Sequence, residues 1–222
     1  MAIAPIDPYP MPRPAELPSN TVSWSVDPDR AALLVHDMQH YFLAPFRSGA
    51  QPHADLVAHV QVLRERCTGL GVPVLYSAQP GDMTPPQRGL LADFWGPGMS
   101  SAPEDSGIPD ALAPGERDTV LTKWRASAFH HTPLLELLRE QGRDQLIICG
   151  VYAHVGILLT ACDAFAHGVQ PFVVSDAVAD FTPAYHRMAL EYAASRCAVV
   201  LPTAAVLQAL PAAAPAAVGD RS

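Results

Sequence analysis

Polar side chains follow four apolar runs of the sequence, at the points where β-strands are expected to end. Asp37 ends the first run, Gln79 the second and Lys123 the third, and the fourth run leads into a turn at residues 152–156. Ligands of open parallel sheets bind beyond the carboxyl ends of the strands. Any one of these residues alone could be a solvated strand cap. Together they predict a shared pocket.

A nucleophile is missing from the place where such a pocket often carries one. The stretch QLIICGVYAHVGILLTACDAF, residues 145–165, is typical of a buried strand that turns sharply into an apolar helix. A catalytic nucleophile often lies on a turn of this kind. Here the turn offers Tyr152, Ala153, His154, Val155 and Gly156. The sequence therefore indicates a chemistry that needs no serine or cysteine at this turn.

The elements that must position these residues follow from the apolar pattern. Short β-branched runs alternate with longer segments of helical period, which is typical of a parallel sheet covered by helices on both faces. We predict an α/β protein with a three-layer α/β/α, Rossmann-like fold and a central parallel sheet of about six strands. The predicted strands are residues 31–38, 73–79, 119–123, 145–153, 171–176 and 198–201. The predicted helices are residues 54–70, 133–141, 155–167, 183–195 and 203–210.

The whole chain is expected to form a single domain. Its 222 residues have 49% hydrophobic content, enough to bury a sizeable core. The proline-rich residues 1–24 predict an extended arm lying on the fold, and residues 211–222 predict a disordered tail. Residues 80–114 are rich in glycine and proline and are expected to form a loop with one helical piece near residues 87–94. A segment of this length without regular structure is usually functional or disordered.

Charge and composition exclude several classes of partner. The formal net charge is −8 and lysine and arginine do not cluster, so we expect no nucleic-acid partner. The N-terminus has no continuous apolar stretch, so we expect neither a signal peptide nor a membrane anchor. The four cysteines lie in apolar segments without a C-x-x-C pair, as free thiols of a cytoplasmic protein do. An anionic small molecule is compatible with this composition, because a pocket needs only a few local cations.

Neither a metal nor another cofactor is expected. The nine histidines include no H-E-x-x-H motif of the kind that holds zinc. His130 and His131 are adjacent, and they would point apart if their loop is extended. Gly150 and Gly156 do not form the G-x-G-x-x-G motif of dinucleotide-binding proteins.

Four segments resemble the isochorismatases, a branch of the isochorismatase-like hydrolases that cleaves enolpyruvyl ethers. They are VHDMQHYFL, YSAQPGDMTPPQRGLLADFWGPGM, LTKWRASAF and GVYAHVGILLTACDAFAHGVQPFVVSDAVADF. The segments are long and in order, and the resemblance runs from about residue 8 to residue 210. Around MTPPQRGLLADFWGPGM and HRMALEYAASRCA the chain is more similar to the phenazine-pathway members than to the siderophore-pathway ones. The phenazine-pathway members hydrolyse 2-amino-2-deoxyisochorismate to 2,3-dihydro-3-hydroxyanthranilate and pyruvate.

The resemblance explains the missing nucleophile. Related amidases, such as nicotinamidases, carry their cysteine where this chain has Gly156. An enol ether needs no acyl-enzyme, because protonation of its terminal methylene gives an oxocarbenium ion to which water adds. Asp37 matches the catalytic aspartate of the family and is expected to be this acid. Burial and the substrate's carboxylates are then expected to raise its pKa above the ordinary value of about 3.9. Lys123 opposes this rise, but it can bind a substrate carboxylate and stabilise the charge left on Asp37.

The resemblance also implies how the site binds its substrate, a small-molecule dicarboxylate. Gln79 and Arg88 are expected to bind carboxylates, Arg88 in a bidentate manner, and Tyr152 to complete the polar set. Phe42 and Trp95 are expected to form an apolar wall, although aromatic residues at such places are often plain core.

The resemblance further implies a cis peptide between Val151 and Tyr152 and a homodimer. His154 is left with two interpretations, a catalytic base or a structural residue of the core or interface. Three functions stand side by side: a cofactor-free enol-ether hydrolase, a cysteine-type amidase and a non-catalytic interaction protein. The glycine at 156 argues against the second, and the intact set of Asp37 and its polar neighbours argues against the third. Within the first, the alternative substrate is isochorismate, which would give 2,3-dihydro-2,3-dihydroxybenzoate and pyruvate.

Overall fold

A six-stranded parallel sheet forms the centre of the protein, which a computed structural model describes over residues 3–210. All neighbouring strands are parallel, in the order β3-β2-β1-β4-β5-β6. The predicted central parallel sheet is therefore confirmed. The strands are β1 (Ala31–His36), β2 (Val74–Ala78), β3 (Thr119–Thr122), β4 (Gln145–Val151), β5 (Gln170–Ala179) and β6 (Val199–Leu201).

Helices cover both faces of this sheet, as the sequence predicts. The helices of residues 3–210 are α1 (His40–Leu43), α2 (His53–Leu70), α3 (Pro85–Arg88), α4 (Leu91–Trp95), α5 (Pro103–Ser106), α6 (Leu134–Glu140), α7 (Leu158–Ala166), α8 (Pro183–Arg196) and α9 (Thr203–Ala209). On one face α2 and α9 pack in a core with Leu33 and Val35 of β1. On the other face α6, α7 and α8 pack with Ala32 and Leu34. Because successive side chains of a strand point to opposite faces, this alternation builds three layers.

The order of the strands reverses beside β1. The chain runs outward from β1 through β2 to β3, and then returns to place β4 on the other side of β1. In doubly wound sheets, ligands bind in the crevice beyond the carboxyl ends of the strands at such a reversal. The residues that follow β1, β2, β3 and β4 therefore lie at the edge of the sheet where a site is expected.

Strand β5 is longer than the sequence predicts. It continues to Ala179 instead of ending near residue 176. Strand β5 contains two consecutive polar residues, Ser175 and Asp176. A register shift between Ile148 and Gly150 of β4 lets β4 and β5 continue to pair beyond them. Asp176 accepts hydrogen bonds of 2.7 Å from both the N–H and the hydroxyl of Thr203. This tertiary contact satisfies the polar residue inside the strand, so that it does not end the strand.

Residues 80–114 contain more regular structure than a loop with one helical piece. The helices α3, α4 and α5 and one 3₁₀ turn lie within them. The prediction of a single helix near residues 87–94 is wrong, because the chain breaks at Gly89 with a φ of 53°. Pro85 and Pro103 stand at the starts of α3 and α5, where the missing N–H of proline costs little. Asp82 accepts a hydrogen bond of 3.0 Å from the N–H of Ser101, which ties the segment together.

The N-terminal arm packs on the face of the sheet that carries α2. Its side chains Ile6, Tyr9 and Met11 are buried. The N–H of Ile6 donates to the carbonyl oxygen of Pro45 at 2.8 Å. The hydroxyl of Tyr9 donates to the carbonyl oxygen of Asp180 at 3.1 Å and accepts from the N–H of the same residue at 2.7 Å. The arm is thus anchored to the end of β5 by a side chain as well as by its backbone.

Within residues 3–210, no helix combines the length and the apolar character needed to span a lipid bilayer. The predicted disordered tail, residues 211–222, lies outside the described residues.

Replacing Tyr9 by phenylalanine should destabilise the fold, because the N–H of Asp180 loses its acceptor in a buried place. Such a loss costs about 1–3 kcal/mol of unfolding free energy. The matched control is Tyr192→Phe on α8, where the side chain is 47% exposed and the change should stay within about 0.5 kcal/mol. Chemical denaturation of the two variants measures both values, and equal effects would contradict the anchoring role of Tyr9.

Candidate active site

A buried carboxylate lies at the end of the first strand. Asp37 directly follows β1, has a left-handed φ of 51° and is 4% exposed. Its Oδ1 accepts a hydrogen bond of 2.8 Å from the hydroxyl of Ser77, which lies in β2. Its Oδ2 accepts one of 3.3 Å from the side-chain amide of Gln79, which directly follows β2. The parallel pairing of β1 with β2 therefore gives the carboxylate two neutral donors.

Lys123 is the cation that pairs with this carboxylate. It follows β3 and is 1% exposed, and its Nζ lies 2.8 Å from Oδ2 of Asp37. The same Nζ donates to the carbonyl oxygens of Arg125 at 2.8 Å and of Ala126 at 3.2 Å. The N–H of Lys123 donates to the carbonyl oxygen of Ala78, which continues the β2–β3 pairing past the strand end. A buried ion pair is stable only when its remaining donors and acceptors are satisfied, and here they are.

The pKa of Asp37 lies below its ordinary value in the free protein. Burial by itself would raise it, but the neighbouring imidazole of His36, the ammonium of Lys123 and the hydrogen bonds from Lys123 and Ser77 outweigh the effect of burial. The expectation that burial raises this pKa is therefore wrong for the free protein. At neutral pH Asp37 is a carboxylate until something changes its surroundings.

Gln79 and Arg88 bring further donors to the same edge. Arg88 ends α3 and is 7% exposed, and its Nε donates to the carbonyl oxygen of Gly96 at 2.9 Å. Its Nη1 donates to the side-chain oxygen of Gln79 at 3.3 Å. Gln39 holds Gln79 in turn, since its side chain accepts from the N–H of Gln79 at 2.8 Å and donates to the carbonyl oxygen of Gln79 at 2.9 Å. The guanidinium and the amide are thus fixed beside Asp37.

All eight residues that the sequence identifies meet around one cavity of about 60 Å³. These residues are Asp37, Phe42, Gln79, Arg88, Trp95, Lys123, Tyr152 and Gly156. Ile3, Tyr41 and Leu91 also line this cavity. The cavity therefore combines one carboxylate and two cations with an aromatic and aliphatic wall.

Tyr152 does not have a free hydroxyl to offer. The hydroxyl donates to the carbonyl oxygen of Phe42 at 2.6 Å, and the ring packs on Phe181 with centroids 4.2 Å apart. Burial raises the pKa of Tyr152, so the hydroxyl stays protonated. Trp95 packs on the other side of the same cluster, 5.9 Å from the ring of Phe181. The geometry therefore favours an apolar role for Tyr152 beside Phe42 and Trp95, in place of the polar role expected from the sequence.

The turn that carries Gly156 begins with one π-helical turn, Ala153–Ile157, and only then continues as α7. The predicted helix thus starts three residues later than residue 155 as a regular α-helix. The peptide bond between Val151 and Tyr152, just before the turn, is cis, which confirms what the resemblance implies. Gly156 faces the cavity from this turn.

His154 does not line the cavity. Its Nδ1 lies 2.7 Å from Oδ1 of Asp180, and its N–H donates to Oδ2 of Asp180 at 2.7 Å. Its ring stacks on Tyr185 with centroids 4.5 Å apart. Of the two interpretations left open by the sequence, this geometry favours the structural one, in which His154 ties the turn after β4 to the end of β5.

Metal-ligating side chains do not gather in the described part of the chain. In residues 3–210, no three His, Cys, Asp or Glu side chains are placed to hold a metal ion. His36 and His40 have H-x-x-x-H spacing but lie in a strand and a helix. The expectation that His130 and His131 point apart is wrong, because their ring centroids lie 4.2 Å apart. The left-handed φ of His131, 55°, breaks the extended path on which that expectation rested.

Several residues of the site escaped the sequence analysis. Ser77 is the one polar side chain inside the buried run of β2, and Gln39 lies two residues after Asp37. Either could have been found by asking which buried polar residue near a strand end needs a partner. Tyr41 gives no such signal, because it lies within the short helix α1. His36, the last residue of β1, could have been found by the same question.

The reversal beside β1 and the buried Asp–Lys pair define a doubly wound α/β protein with its ligand crevice at the switch point. The family model described as the isochorismatase domain matches residues 31–205. The chain is 56% identical over 200 residues to the phenazine biosynthesis protein PhzD1 of Pseudomonas aeruginosa, covering 90% of this chain and 96% of that protein. It is 54% identical over 210 residues to the isochorismatase of Bacillus subtilis, covering 95% of this chain and 67% of that protein.

Among solved structures, a cysteine hydrolase from Pseudomonas syringae pv. phaseolicola 1448A superimposes with a TM-score of 0.76 at 25% identity, covering 85% of this chain and 96% of that one. The fold and the two sequence matches agree. The protein belongs to the isochorismatase family and is a hydrolase.

Removing the charge of Lys123 should raise the pKa of Asp37. In Lys123→Met the carboxyl group stays buried without its cation, so burial should lift the pKa above the ordinary value of about 3.9. Lys123→Arg keeps the charge and should keep the pKa low. Carbon-13 NMR titration of the aspartate carboxyl groups measures both variants, and an unchanged pKa in Lys123→Met would contradict a contribution of this ion pair to the low pKa of Asp37.

Proposed function

We propose that this protein hydrolyses the enolpyruvyl ether of an isochorismate-type substrate and releases pyruvate. The observation that carries the proposal is the buried Asp37–Lys123 pair in a cavity whose turn has a glycine where a nucleophile could stand. The similarity to proteins named isochorismatase and phenazine biosynthesis protein PhzD1 supports the same substrate class.

An enolpyruvyl ether can be cleaved by one acid and one water molecule. Asp37 in its protonated form gives its proton to the terminal methylene carbon, which becomes the methyl group of an oxocarbenium ion. Water adds to the cationic carbon and returns a proton to the Asp37 carboxylate. The hemiketal then breaks its bond to the oxygen attached to the ring, and that oxygen takes up the proton of the hemiketal hydroxyl. The products are pyruvate and the ring alcohol. Lys123, 2.8 Å from Asp37, stabilises the carboxylate that remains after proton transfer.

Asp37 must become protonated when the substrate binds. In the free protein the pKa of Asp37 is low because His36 and Lys123 are close and Lys123 and Ser77 donate hydrogen bonds to it. A substrate carboxylate placed against Lys123 and Arg88 would neutralise part of this positive charge and raise the pKa of Asp37. Binding and protonation are therefore coupled, and kcat/KM should fall as the pH rises, by about tenfold per unit once Asp37 in the free protein is ionised.

The lining of the cavity suits a ring that bears two carboxylates. Arg88 and Gln79 can bind one carboxylate, with the guanidinium in a bidentate geometry. Phe42, Trp95 and the ring of Tyr152 form the apolar wall against the carbon skeleton.

The residues of the cavity agree less well with the activity of a cysteine-type amidase. All four cysteines lie within residues 3–210, and none of them lines the cavity. Burial raises the pKa of Cys67 and of Cys197 to about 12, and it also raises the pKa of Cys149. A thiol with a raised pKa is a poor nucleophile because little thiolate is present. No covalent intermediate should therefore form.

We propose 2-amino-2-deoxyisochorismate as the preferred substrate, giving trans-2,3-dihydro-3-hydroxyanthranilate and pyruvate. The support is the 56% identity to PhzD1, a phenazine biosynthesis protein, over nearly its whole length. The alternative substrate is isochorismate, which has the same reacting ether and the same carboxylates. The 54% identity to an isochorismatase supports this alternative. Both compounds should be hydrolysed, with the preference expressed as a ratio of kcat/KM.

A homodimer in the cytoplasm is the assembly and location that we propose. Leu159 and Phe165 on α7, and Tyr185 and Met188 on α8, are 41–51% exposed, and apolar surface of this kind is common at interfaces between subunits. The free state of the cysteines suits a reducing compartment. No nucleic-acid or membrane partner is proposed.

Asp37→Asn should lower kcat/KM for pyruvate release by about 10²–10⁴-fold, because the amide keeps the shape of the side chain and loses the transferable proton. The assay couples pyruvate to lactate dehydrogenase, and circular dichroism checks the fold of the variant. The matched control is Asp144→Asn, which removes an exposed carboxylate paired with Arg30 at the opposite edge of the sheet and should not change kcat/KM. Activity of Asp37→Asn within about tenfold of the wild type would rule out Asp37 as the acid.

In a direct competition assay, kcat/KM should be higher for 2-amino-2-deoxyisochorismate than for isochorismate. An ammonium and a hydroxyl at C2 make different hydrogen bonds, and a buried partner left unpaired by the wrong group lowers kcat/KM. Mass spectrometry of the two ring products, formed from an equimolar mixture, measures the ratio of kcat/KM. A product ratio in favour of the isochorismate product would reverse the assignment of the preferred substrate while leaving the role of Asp37 in place.

A further inference from the structure

The ring of His36 fills the space into which any side chain at position 156 would have to extend. A β-carbon built on Gly156 would lie 2.8 Å from Nε2 and 3.1 Å from Nδ1 of His36, and closer still to Cε1. Non-bonded carbon atoms prefer separations of about 3.5–4.0 Å. Gly156 is not among the glycines with positive φ, so its backbone would accept other residues. Space, and not conformation, therefore excludes a side chain here.

His36 has little freedom to move aside. Its side chain is completely buried, and its Nδ1 lies 2.9 Å from the carbonyl oxygen of Val151. Its backbone is held between β2 and β4, opposite Ser77 and Gly150. Gly150 approaches so closely that even a β-carbon there would lie 2.9 Å from the backbone nitrogen of His36. The ring keeps its place unless two central strands shift.

Packing alone does not explain a histidine at this position. Its Nε2 makes no hydrogen bond of normal length and angle among residues 3–210, the backbone of Ala126 being only a marginal partner, and a poorly satisfied buried polar atom costs free energy that an apolar side chain would avoid. Its Nδ1 also lies 3.8 Å from Oδ1 of Asp37. Burial lowers the pKa of His36, Asp37 opposes this shift and Lys123 adds to it, so the ring stays neutral at neutral pH. The neutral ring of His36 thus lies against Gly156, close to the carbonyl of Val151 and close to Asp37.

We infer that His36 is a positioning residue that commits this site to acid catalysis, because its ring occupies the volume that a nucleophilic side chain at position 156 would need and holds the carbonyl of Val151. The fold by itself permits covalent chemistry, since a protein named a cysteine hydrolase shares it. The inference rests on the proposed function, because it explains how that function avoids a covalent intermediate. It predicts that the residues at 36 and 156 are coupled in their effects.

His36→Asn separates the two contacts of the ring. The amide nitrogen of asparagine takes the place of Nδ1 and can still donate to Val151, whereas the volume of Cε1 and Nε2 becomes free. The single variant should lower kcat by less than about tenfold and leave KM unchanged, since the contact that it retains is the one that orders the backbone near Asp37.

Gly156→Ala tests the steric contact. Alone, it should lower the melting temperature by at least about 5 °C and kcat/KM by at least about tenfold, because the added methyl group overpacks a site that cannot relax. In the His36→Asn background the same substitution should leave both quantities within error of His36→Asn alone. The matched control is Gly81→Ala, whose β-carbon would meet the backbone of Ser100, so that His36→Asn should not relieve it.

A thiol at position 156 tests whether the ring of His36 prevents a side chain there from reaching the cavity. The double variant His36→Asn/Gly156→Cys should fold and take up one more iodoacetamide adduct than His36→Asn, counted by mass spectrometry. Gly156→Cys in the wild-type background should have a lowered melting temperature and no additional adduct while folded.

Three results would each overturn the inference. The first is a Gly156→Ala variant as stable and active as the wild type, and the second is the same loss of melting temperature from Gly156→Ala in both backgrounds. The third is an absence of the extra adduct in the double variant. Melting temperatures and adduct counts do not depend on turnover. A wild-type protein that released no pyruvate would therefore contradict the proposed function, while the coupling between His36 and Gly156 would still be measured.

Discussion

The rest of the structure depends on the burial of one ion pair, between Asp37 and Lys123. Removing two charges from water costs several kcal/mol per ion unless every remaining donor and acceptor is satisfied. The hydroxyl of Ser77 and two backbone carbonyls beyond Lys123 meet this requirement. The register of β1, β2 and β3 brings Ser77 and Lys123 to Asp37, and the turn that directly follows Lys123 supplies the two carbonyls. A slip of one residue in the pairing of β1 with β2 would move Ser77 away from Asp37, and a slip between β2 and β3 would move Lys123 away from the carboxylate.

The ion pair also decides what chemistry the cavity can perform. It holds Asp37 as a carboxylate in the free protein, so the site has no acid until a ligand with its own negative charge competes for Lys123. The completely buried ring of His36 closes the space beside Gly156. Asp37 therefore stays ionised until the substrate binds, and the site cannot form a covalent bond through position 156.

The sequence predicts the edge of the sheet well, because Asp37, Gln79 and Lys123 each follow an apolar run and parallel strands end together. It predicts less where a residue's role depends on a distant contact. Asp176 does not end β5 because Thr203 satisfies it, and this contact has no local signal. The role of His36 depends on the space left by a glycine far along the chain. The direction of the pKa shift of Asp37 depends on distances that only the folded chain defines.

The most direct test of the account is the number of protons taken up when a substrate-like ligand binds. A suitable ligand is the saturated analogue of the substrate, in which a methyl group replaces the terminal methylene, since it keeps both carboxylates and cannot react. Isothermal titration calorimetry near neutral pH, in buffers of different ionisation enthalpy, measures this number. The account predicts an uptake approaching one proton per ligand for the wild type, and almost none for Asp37→Asn. Equal uptake by both proteins, or no uptake by the wild type, would contradict it.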